Sequence, residues 1–402
     1  MTTAPQDTGP RRRAERLAWL GYAVIGLMAT AYGAALPELV QHLRAGYGEL
    51  SLLFAMQSLG NAATYIYANH LVDRHGTRGV VLLGFLLFAV GTGIEPLTAS
   101  LALWAALAFV VGVAFALVDV GASRLVSDLY RHDQAVAFNR LNLWFGAGAI
   151  AAPLTIGILS ALGLAVTLVF ALAAALSLLG AVGMAAVREV PGEPAEPGPG
   201  LRGNLDLWRS EPWLRSLTLL VFAYVAAESG FSAWVAAFVH VRAGLPVSVA
   251  SLYPSAYQAG LMVTRLLIGP RLPVLRLERV LLVGAIVAVA SGGFVAILGH
   301  SPAFVLIGVL AAGIGLGPAF PIVLTVAGRE APRREGQVFF FVFTSLAMAS
   351  LLVPWAEGQI FARLPELAIA MTSLFAVAMA VLAARLGRDT GRVRQHSPSP
   401  GV

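Results

Sequence analysis

The sequence contains no cysteine and no lysine, and it is poor in charged residues. Only 12% of its 402 residues are charged and 58% are hydrophobic, whereas a soluble domain is about 25% charged. Without cysteine the chain cannot form a disulfide, a zinc thiolate site or a cysteine nucleophile. Without lysine it lacks the phosphate-binding group of a P-loop and the amine of a Schiff base. These features exclude a soluble enzyme and indicate a polytopic membrane protein, for which we expect neither a metal site nor a cofactor.

All 27 basic residues are arginine, and the net charge is +6. The arginines lie in short segments between apolar runs and are not gathered into a basic domain that could hold a nucleic acid. We therefore expect the lipid bilayer, and no nucleic acid, as the partner that explains the positive charge.

Twelve apolar runs are long enough to cross a bilayer, which predicts an all-α fold with twelve transmembrane helices. The predicted spans are 17–39, 48–72, 79–95, 98–123, 138–160 and 164–187, followed by 213–240, 247–268, 279–298, 302–327, 337–361 and 366–386. The predicted domains are an N-terminal tail at 1–16, a first half at 17–187, a linker at 188–212, a second half at 213–386 and a C-terminal tail at 387–402. The linker contains PGEPAEPGPG, which cannot continue a helix or cross a bilayer. Two six-helix halves are typical of transporters built from repeats, whose solute site lies near the midplane.

The distribution of arginine predicts the orientation of the chain. In the predicted topology 24 arginines fall on the side of the N-terminus, and only Arg44, Arg242 and Arg363 fall on the other side. Cytoplasmic loops carry the excess of positive residues in membrane proteins. We therefore expect a multi-pass protein of the cell membrane whose termini and linker are all cytoplasmic.

Glu228 is the only charged residue in the apolar run from Leu217 to Val239. At ~1.5 Å per residue this run is about 34 Å long, which places Glu228 near the bilayer midplane. A carboxylate at that depth costs about 2.5 to 3.5 kcal/mol, and it is normally kept only where it faces a bundle interior or a polar cavity. The run thus predicts either a site for a solute or a proton, or a structural hydrogen bond between helices.

The loop after the second predicted span reads NHLVDRHGTRG. Here Gly76 can form the turn, and Asp73 with Arg74 and Arg78 can form a charge-assisted latch that breaks when the helices move. The alternative is that these charges only set the topology. The loop resembles the signature loop of the major facilitator superfamily, Gly-x-Leu-x-Asp-Arg-x-Gly-Arg-Arg. The matching residues are Leu71, Asp73, Arg74, Gly76 and Arg78, with Asn69 in place of the first glycine and Thr77 in place of a basic residue.

Four further stretches resemble the fucose/proton symporter branch of that superfamily, whose members mostly carry sugars. They are VDVGASRL with Asp119, LNLWFGAGAIAAP, YVAAESGFSAW with Glu228, and GIGLGPAFP. The resemblance implies that Asp119, on the fourth span, takes part in proton coupling. The chain departs from the branch in the first span, where LMATAYGAAL lacks a second acid.

The glycines and Pro153 of the fifth predicted span also resemble the antiporter motif of drug exporters. Such exporters typically carry an arginine on the fourth span where this chain has Ala108. The difference favours uptake over export.

Polar and aromatic residues at helical spacing predict the wall of a solute cavity, because planar amides suit hydroxyl groups and aromatic faces suit the C–H side of a sugar ring. The predicted cavity residues are Gln57, Asn61, Tyr65, Asn142, Trp144, Tyr224, Trp234, Tyr257 and Gln258. For each of them, packing or hydrogen bonding between helices is the alternative. Glu95 and Glu357 fall near the outer ends of spans, where snorkelling to water is easy, and Arg265 falls near a cytoplasmic end, where we expect headgroups or loops as its partners.

The sequence thus predicts a major facilitator carrier that moves a small polar solute in symport with protons. We expect the solute to be a sugar and the acids of the coupling site to be Glu228 and Asp119. Its expected partners are the solute, protons and the bilayer, and we expect a monomer. The alternatives are a proton-coupled efflux antiporter with the same fold and a transport-inactive solute sensor.

Overall fold

The computed structural model describes residues 8–130, 134–187, 200–268, 271, 275–330 and 334–396. Every regular secondary-structure element in these ranges is a helix. The elements of the N-terminal part are α1 (Thr8–Leu43), α2 (Tyr47–Ile94), a 3-10 turn (Glu95–Leu97), α3 (Leu101–Leu129), α4 (Gln134–Ala161) and α5 (Leu168–Ala185). The elements that follow are α6 (Gly200–Ser210), α7 (Pro212–Ser229), a π-helix (Gly230–Trp234), α8 (Val235–Ala243), α9 (Val247–Ala250), α10 (Leu252–Ile268), α11 (Leu277–Ile297), α12 (Pro302–Leu316), α13 (Ala319–Glu330), α14 (Glu335–Phe361) and α15 (Pro365–His396).

The helices coincide with the twelve predicted spans and confirm the predicted fold class. Ten helical stretches in the described part of the chain are long and apolar enough to cross a membrane. The predicted spans 48–72 and 247–268 are helical but are not among the ten. The first of them contains the polar residues Gln57, Asn61 and Tyr65, and the second corresponds to α10, which has only 17 residues.

The second and third predicted spans form one continuous element, α2, that is broken at Gly76. This residue has φ 71° and ψ 158°, while the residues around it are helical. Only glycine adopts this conformation readily, because a Cβ atom would clash with the backbone. The predicted turn at Gly76 is therefore a tight junction at which the helices of the second and third predicted spans meet.

Helical structure extends further into the predicted linker and tails than the apolar pattern indicates. α6 lies inside the predicted linker, α1 begins at Thr8 in the predicted N-terminal tail, and α15 continues to His396 in the predicted C-terminal tail. A helix does not have to end at the membrane surface, because water can satisfy its polar face. The proline-rich stretch from 191 to 199 lies outside the described residues.

The seventh predicted span is not a uniform helix. It consists of α7, one turn of π-helix and α8, with Glu228 next to the last residue of α7. Such π turns are rare and are often found at functional sites. By their contacts the residues form two compact units, and one boundary between them along the chain falls within this span. Unit 1 comprises Met1–Ala195 and Val235–Ser255, and unit 2 comprises Glu196–Trp234 and Ala256–Val402.

Unit 1 is built on the packing of α1 against α4 and of α2 against α3 and α5, with α8 on α1 and α9 on α4. α1 and α4 approach each other at small residues. A Cβ atom on Gly26 would lie 2.0 Å from the carbonyl oxygen of Phe145, and one on Gly148 would lie 2.0 Å from that of Ala23. Gly148 thus permits close contact between backbones, as is usual for small residues in membrane helices.

Unit 2 is built around α15, which packs on α7 and α11, while α14 packs on α7 and α12 packs on α11. Its core contains large side chains that are fully buried, among them Trp234, Tyr257 and Phe361. The two acids of the predicted coupling site therefore lie in different units, Asp119 in unit 1 and Glu228 in unit 2.

Candidate functional site

Glu228 is part of a chain of polar groups inside unit 2. Tyr224 lies one helical turn earlier on α7, and its hydroxyl interacts with the Glu228 carboxyl group. Arg265 on α10 donates through Nη2 to the Tyr224 oxygen at 3.3 Å and through Nε to the carbonyl of Gly317 at 3.2 Å. The expectation that Arg265 faces headgroups or loops was wrong. Its guanidinium reaches back along the helix to the one acidic group of the adjacent span, because a long side chain can place its charge far from its own Cα.

Tyr257 and Gln258 lie on α10, about two turns before Arg265, and both are buried. The Tyr257 ring stacks on Phe231 of the π-helix with centroids 5.7 Å apart. Its hydroxyl is buried and has no hydrogen-bond partner among the described residues. A buried hydroxyl without a partner costs free energy, so this group is suited to bind a ligand or a water molecule.

Trp234 was predicted to line the cavity, but its indole nitrogen forms a hydrogen bond within unit 2. Nε1 donates to the carbonyl of Pro354 at 3.2 Å, and the ring stacks on Phe361 with centroids 5.0 Å apart. The side chain is fully buried. These contacts give Trp234 a packing role in the described structure.

Asp119 is held by two tyrosines inside unit 1. Tyr22 on α1 donates to Oδ1 at 2.6 Å, and Tyr65 on α2 donates to Oδ2. The Tyr22 oxygen also lies 2.6 Å from Oγ of Ser123, which can donate to it. Tyr65 was predicted as a cavity residue, whereas Tyr22 was missed, although a hydroxyl in an apolar first span is a signal that could have indicated it.

Gln57 and Asn61 lie one turn apart on α2, as the spacing predicts. Nε2 of Gln57 is a buried donor and Oδ1 of Asn61 is a buried acceptor, and neither has a partner among the described residues. An unpaired donor and an unpaired acceptor at this spacing suit a neutral solute that carries hydroxyl groups.

Asn142 and Trp144 on α4 are more exposed than the other predicted cavity residues. Asn142 donates through Nδ2 to the carbonyl of Phe138 on its own helix at 3.0 Å. Trp144 is 44% exposed and stacks on Trp19 with centroids 6.0 Å apart. The structure therefore accounts for both side chains without a ligand.

In the predicted gating loop, Asp73 and Arg74 are exposed. Arg78 donates through Nε to the carbonyl of Met184 at 3.3 Å and through Nη2 to that of Ala185 at 2.6 Å. These carbonyls end α5, where the helix dipole favours a positive charge. Arg78 thus ties the loop to α5, and the latch with Asp73 stays a prediction.

Two acids to which the sequence assigned no role are fully buried. Glu95 accepts a hydrogen bond from Tyr32 at 2.5 Å, and Glu357 accepts one from Ser229 at 2.6 Å. The expectation that both snorkel to water was wrong, because neighbouring helices cover the ends of their spans. Within the described part of the chain, no group of three or more acidic or histidine residues could hold a metal ion.

Comparison with known proteins is consistent with this architecture. Among solved structures, a bacterial homolog to the human lysosomal transporter Spinster, in an inward-facing and unoccupied conformation, superposes with a TM-score of 0.81 at 16% identity, over 98% of this chain and 100% of that chain. The nucleoside transporter NupG superposes with a TM-score of 0.73 at 14% identity, over 95% of this chain and 99% of that chain. At such low identity these likenesses show the fold alone.

A curated relative matches in sequence over a short region. The sodium-dependent glucose transporter 1 of Rattus norvegicus is 28% identical over 130 residues, which are 32% of this chain and 27% of that protein. The match therefore spans about a quarter of the relative's length. The sequence pattern of the Major Facilitator Superfamily matches residues 18–354, which make up most of the chain. Together with the helical fold, this match shows that the chain belongs to the Major Facilitator Superfamily of membrane transporters and is not an enzyme.

Proposed function

We propose that the protein is a secondary active transporter that moves a small polar solute of the sugar class together with a proton, by alternating access. The observation that carries this proposal is the chain from Arg265 through Tyr224 to Glu228, which sits in an apolar helix beside a π turn. Burying a carboxyl group deep in a membrane span costs free energy. A role in binding a solute or a proton explains why this chain keeps one there.

Glu228 has the chemistry for two tasks. As a carboxylate it accepts hydrogen bonds from solute hydroxyls, and as an acid it carries the coupling proton. Arg265 interacts electrostatically with Glu228 and also donates a hydrogen bond to Tyr224, so a change of charge at Glu228 changes how strongly both groups are held. We assign Glu228 to solute binding or proton exchange, and Arg265 to positioning Tyr224.

Asp119 is proposed as the group that releases the proton toward the cytoplasm. Each of its oxygens already accepts a hydrogen bond from a tyrosine, which leaves it less capacity to bind a solute. A proton on either oxygen would compete with one of these tyrosine donors. This arrangement supports a proton-exchange role, in line with the resemblance of this part of α3 to the fucose/proton symporter branch.

The sugar class is supported by the unpaired amide groups of Gln57 and Asn61 in unit 1, both of them neutral. A neutral solute with several hydroxyl groups satisfies such donors and acceptors without burying a second charge. The short match to a glucose transporter points in the same direction. That relative is described as sodium-dependent, so sodium is the alternative coupling ion.

The first experiment identifies the solute by its effect on thermal unfolding of the purified protein. Sugars, nucleosides, amino acids and cationic drugs are screened, since a ligand at 100 times its dissociation constant stabilises by about 2.7 kcal/mol. We expect a sugar to raise the Tm. A rise with cationic compounds alone would favour the efflux antiporter instead.

The second experiment measures transport of that solute in proteoliposomes. An imposed pH gradient should drive uphill accumulation in sodium-free buffer. Accumulation driven only by a sodium gradient would overturn proton coupling, and export driven by proton entry would support the antiporter. Binding of the solute without any flux would instead support a transport-inactive sensor.

A further inference from the structure

A buried carboxyl group lies in unit 2 outside the chain of polar groups at Glu228. Glu357, on α14, has no exposed surface. Its Oε2 accepts a hydrogen bond from Oγ of Ser229 at 2.6 Å, and its Oε1 is buried with no hydrogen-bond partner among the described residues. Oγ of Ser229 is therefore the one hydrogen-bond partner of this carboxyl group among the described residues.

The described side chains around Glu357 supply no compensating positive charge. α14 packs against α7, the π-helix, α13 and α15. The titratable side chains described on these elements and at the ends of α14 are Arg215, Tyr224, Glu228, Arg329, Glu330, Arg334, Arg363, Glu366, Arg385, Arg388 and Asp389. None of them forms a hydrogen bond or an ion pair with the Glu357 carboxyl. A carboxylate in this position would carry an uncompensated charge at membrane depth.

The free oxygen of Glu357 lies beside Gly230, the first residue of the π-helix. A Cβ atom built on Gly230 would lie 3.6 Å from Oε1 and 2.3 Å from the Cγ2 methyl of Thr372. The Thr372 hydroxyl is occupied, because it donates to the carbonyl of Ile369 at 2.6 Å. A metal ion requires several oxygen ligands around it, whereas a proton requires one. The chemistry of the site thus suits a proton.

We infer that Glu357 is a further proton-binding site, separate from the two proposed coupling acids, and that its occupancy controls the start of the π-helix in the seventh span. Ser229 is the last residue of α7, and the π-helix begins at the next residue. The far end of the π-helix is also held by α14, through the bond from Trp234 to Pro354. α14 therefore holds both ends of this irregular turn, and only the Ser229 end depends on a titratable group.

The proton acts through the strength of one hydrogen bond. A hydroxyl bound to a carboxylate forms a charge-assisted bond, which is stronger than a bond to a neutral acid. When Glu357 takes a proton from water on Oε1, its bond to Ser229 weakens and the first turn of the π-helix opens more easily. When the proton returns to water, the bond and the turn tighten.

Infrared difference spectroscopy of the full-length protein in liposomes tests the proton site directly. Between acidic and alkaline buffer we expect a carbonyl band of a protonated carboxyl group that is lost in Glu357→Gln and retained in Glu95→Gln, which removes another buried acid. In Ser229→Ala the band should persist at a shifted frequency. A spectrum that is the same in wild type and Glu357→Gln would overturn the proposal. A band that responds to sodium chloride but not to choline chloride would overturn it in favour of a metal ion.

Hydrogen exchange at one fixed alkaline pH tests the link to the π-helix. Glu357→Gln leaves Ser229 with a neutral acceptor and should speed amide exchange in residues 229–234 by about fivefold, whereas Ser229→Ala removes the bond and should speed exchange at least as much. The double variant should exchange no faster than Ser229→Ala, because both changes act on the same bond. Unchanged exchange, or additive effects, would contradict the proposed link. Neither measurement uses a solute, so both remain decisive if the proposed sugar transport fails its own test.

Discussion

At the scale of single residues, the cost of burying a polar group identifies the side chains that need a function. Glu228, Asp119 and Glu357 all lie in apolar stretches of helices, but their surroundings differ. Glu228 is linked through Tyr224 to an arginine, Asp119 is held by two tyrosines, and Glu357 has one hydroxyl partner. The number and charge of these partners separate the proposed roles of solute binding, proton release and local control.

Replacing Glu228 by Gln should abolish uphill accumulation of the solute driven by a pH gradient. A gradient of one pH unit supplies about 1.4 kcal/mol per proton, so accumulation should fall from about tenfold to none. Counterflow needs no net proton movement, and it should weaken by about tenfold, since a hydrogen bond to a charged group is lost. Radiolabelled solute in proteoliposomes measures both quantities.

The matched control for this test is Glu366→Gln, an acid in the first turn of α15. It should transport as the wild type does. If Glu228→Gln still accumulates solute against its gradient, Glu228 does not carry the proton, and its role is reduced to a structural hydrogen bond between helices.

Asp119→Asn should separate proton coupling from solute binding. We expect the loss of accumulation driven by a pH gradient with unchanged counterflow, because both Asp119 oxygens are occupied by tyrosines and not by solute. Asp128→Asn on the same helix, where Asp128 pairs with Arg124 at 3.6 Å, should keep accumulation. Loss of counterflow in Asp119→Asn would instead place this residue in the solute site.

At the scale of elements, two breaks in long helices stand out, one at Gly76 in α2 and one at the π-helix after α7. Each interrupts the regular hydrogen bonding of a helix at a defined position. Breaks of this kind are where helices bend.

Gly76→Ala should destabilise the protein by about 1 to 3 kcal/mol, because alanine is strained at φ 71° and ψ 158°. Thermal unfolding of the purified protein measures this as a lower Tm. Gly79→Ala is the control, since a Cβ there would make only an ordinary contact, 3.6 Å from Cβ of His75. Equal Tm values for the two variants would show that the break at Gly76 is not required.

Asp73→Asn tests the latch predicted at the same break. If Asp73 helps to hold one conformation through the neighbouring arginines, turnover should fall while solute affinity stays the same. The control is Asp206→Asn, an exposed acid on α6. Normal turnover in Asp73→Asn would indicate that the charges of this loop serve only the topology.

At the scale of the whole molecule, the arginine asymmetry predicts which side of the membrane each loop faces. A single cysteine can be introduced without background, because the chain has none. We expect Gly198→Cys, in the linker, to be unreactive toward an impermeant maleimide in intact cells and reactive after the membrane is permeabilised. Leu162→Cys, at a position that is 68% exposed between the fifth and sixth predicted spans, should react in intact cells. The reverse labelling pattern would show that the topology is the opposite of the predicted one.

The sequence by itself determined the fold class, the positions of the spans, the break at Gly76 and the presence of an acid in the seventh span. These features depend on local properties: runs of apolar residues, a glycine at a turn, and a charge surrounded by apolar neighbours. They can be predicted because each is encoded within a few turns of one helix.

Only the tertiary structure decided which side chains meet. Arg265 reaches Tyr224 from another helix, Tyr22 and Tyr65 converge on Asp119 from two others, and Glu357 is buried by helices distant in sequence. Periodicity tells which face of a helix is polar but not which neighbour it faces. Contacts between helices depend on their packing, so the partners of each buried acid follow from the three-dimensional arrangement.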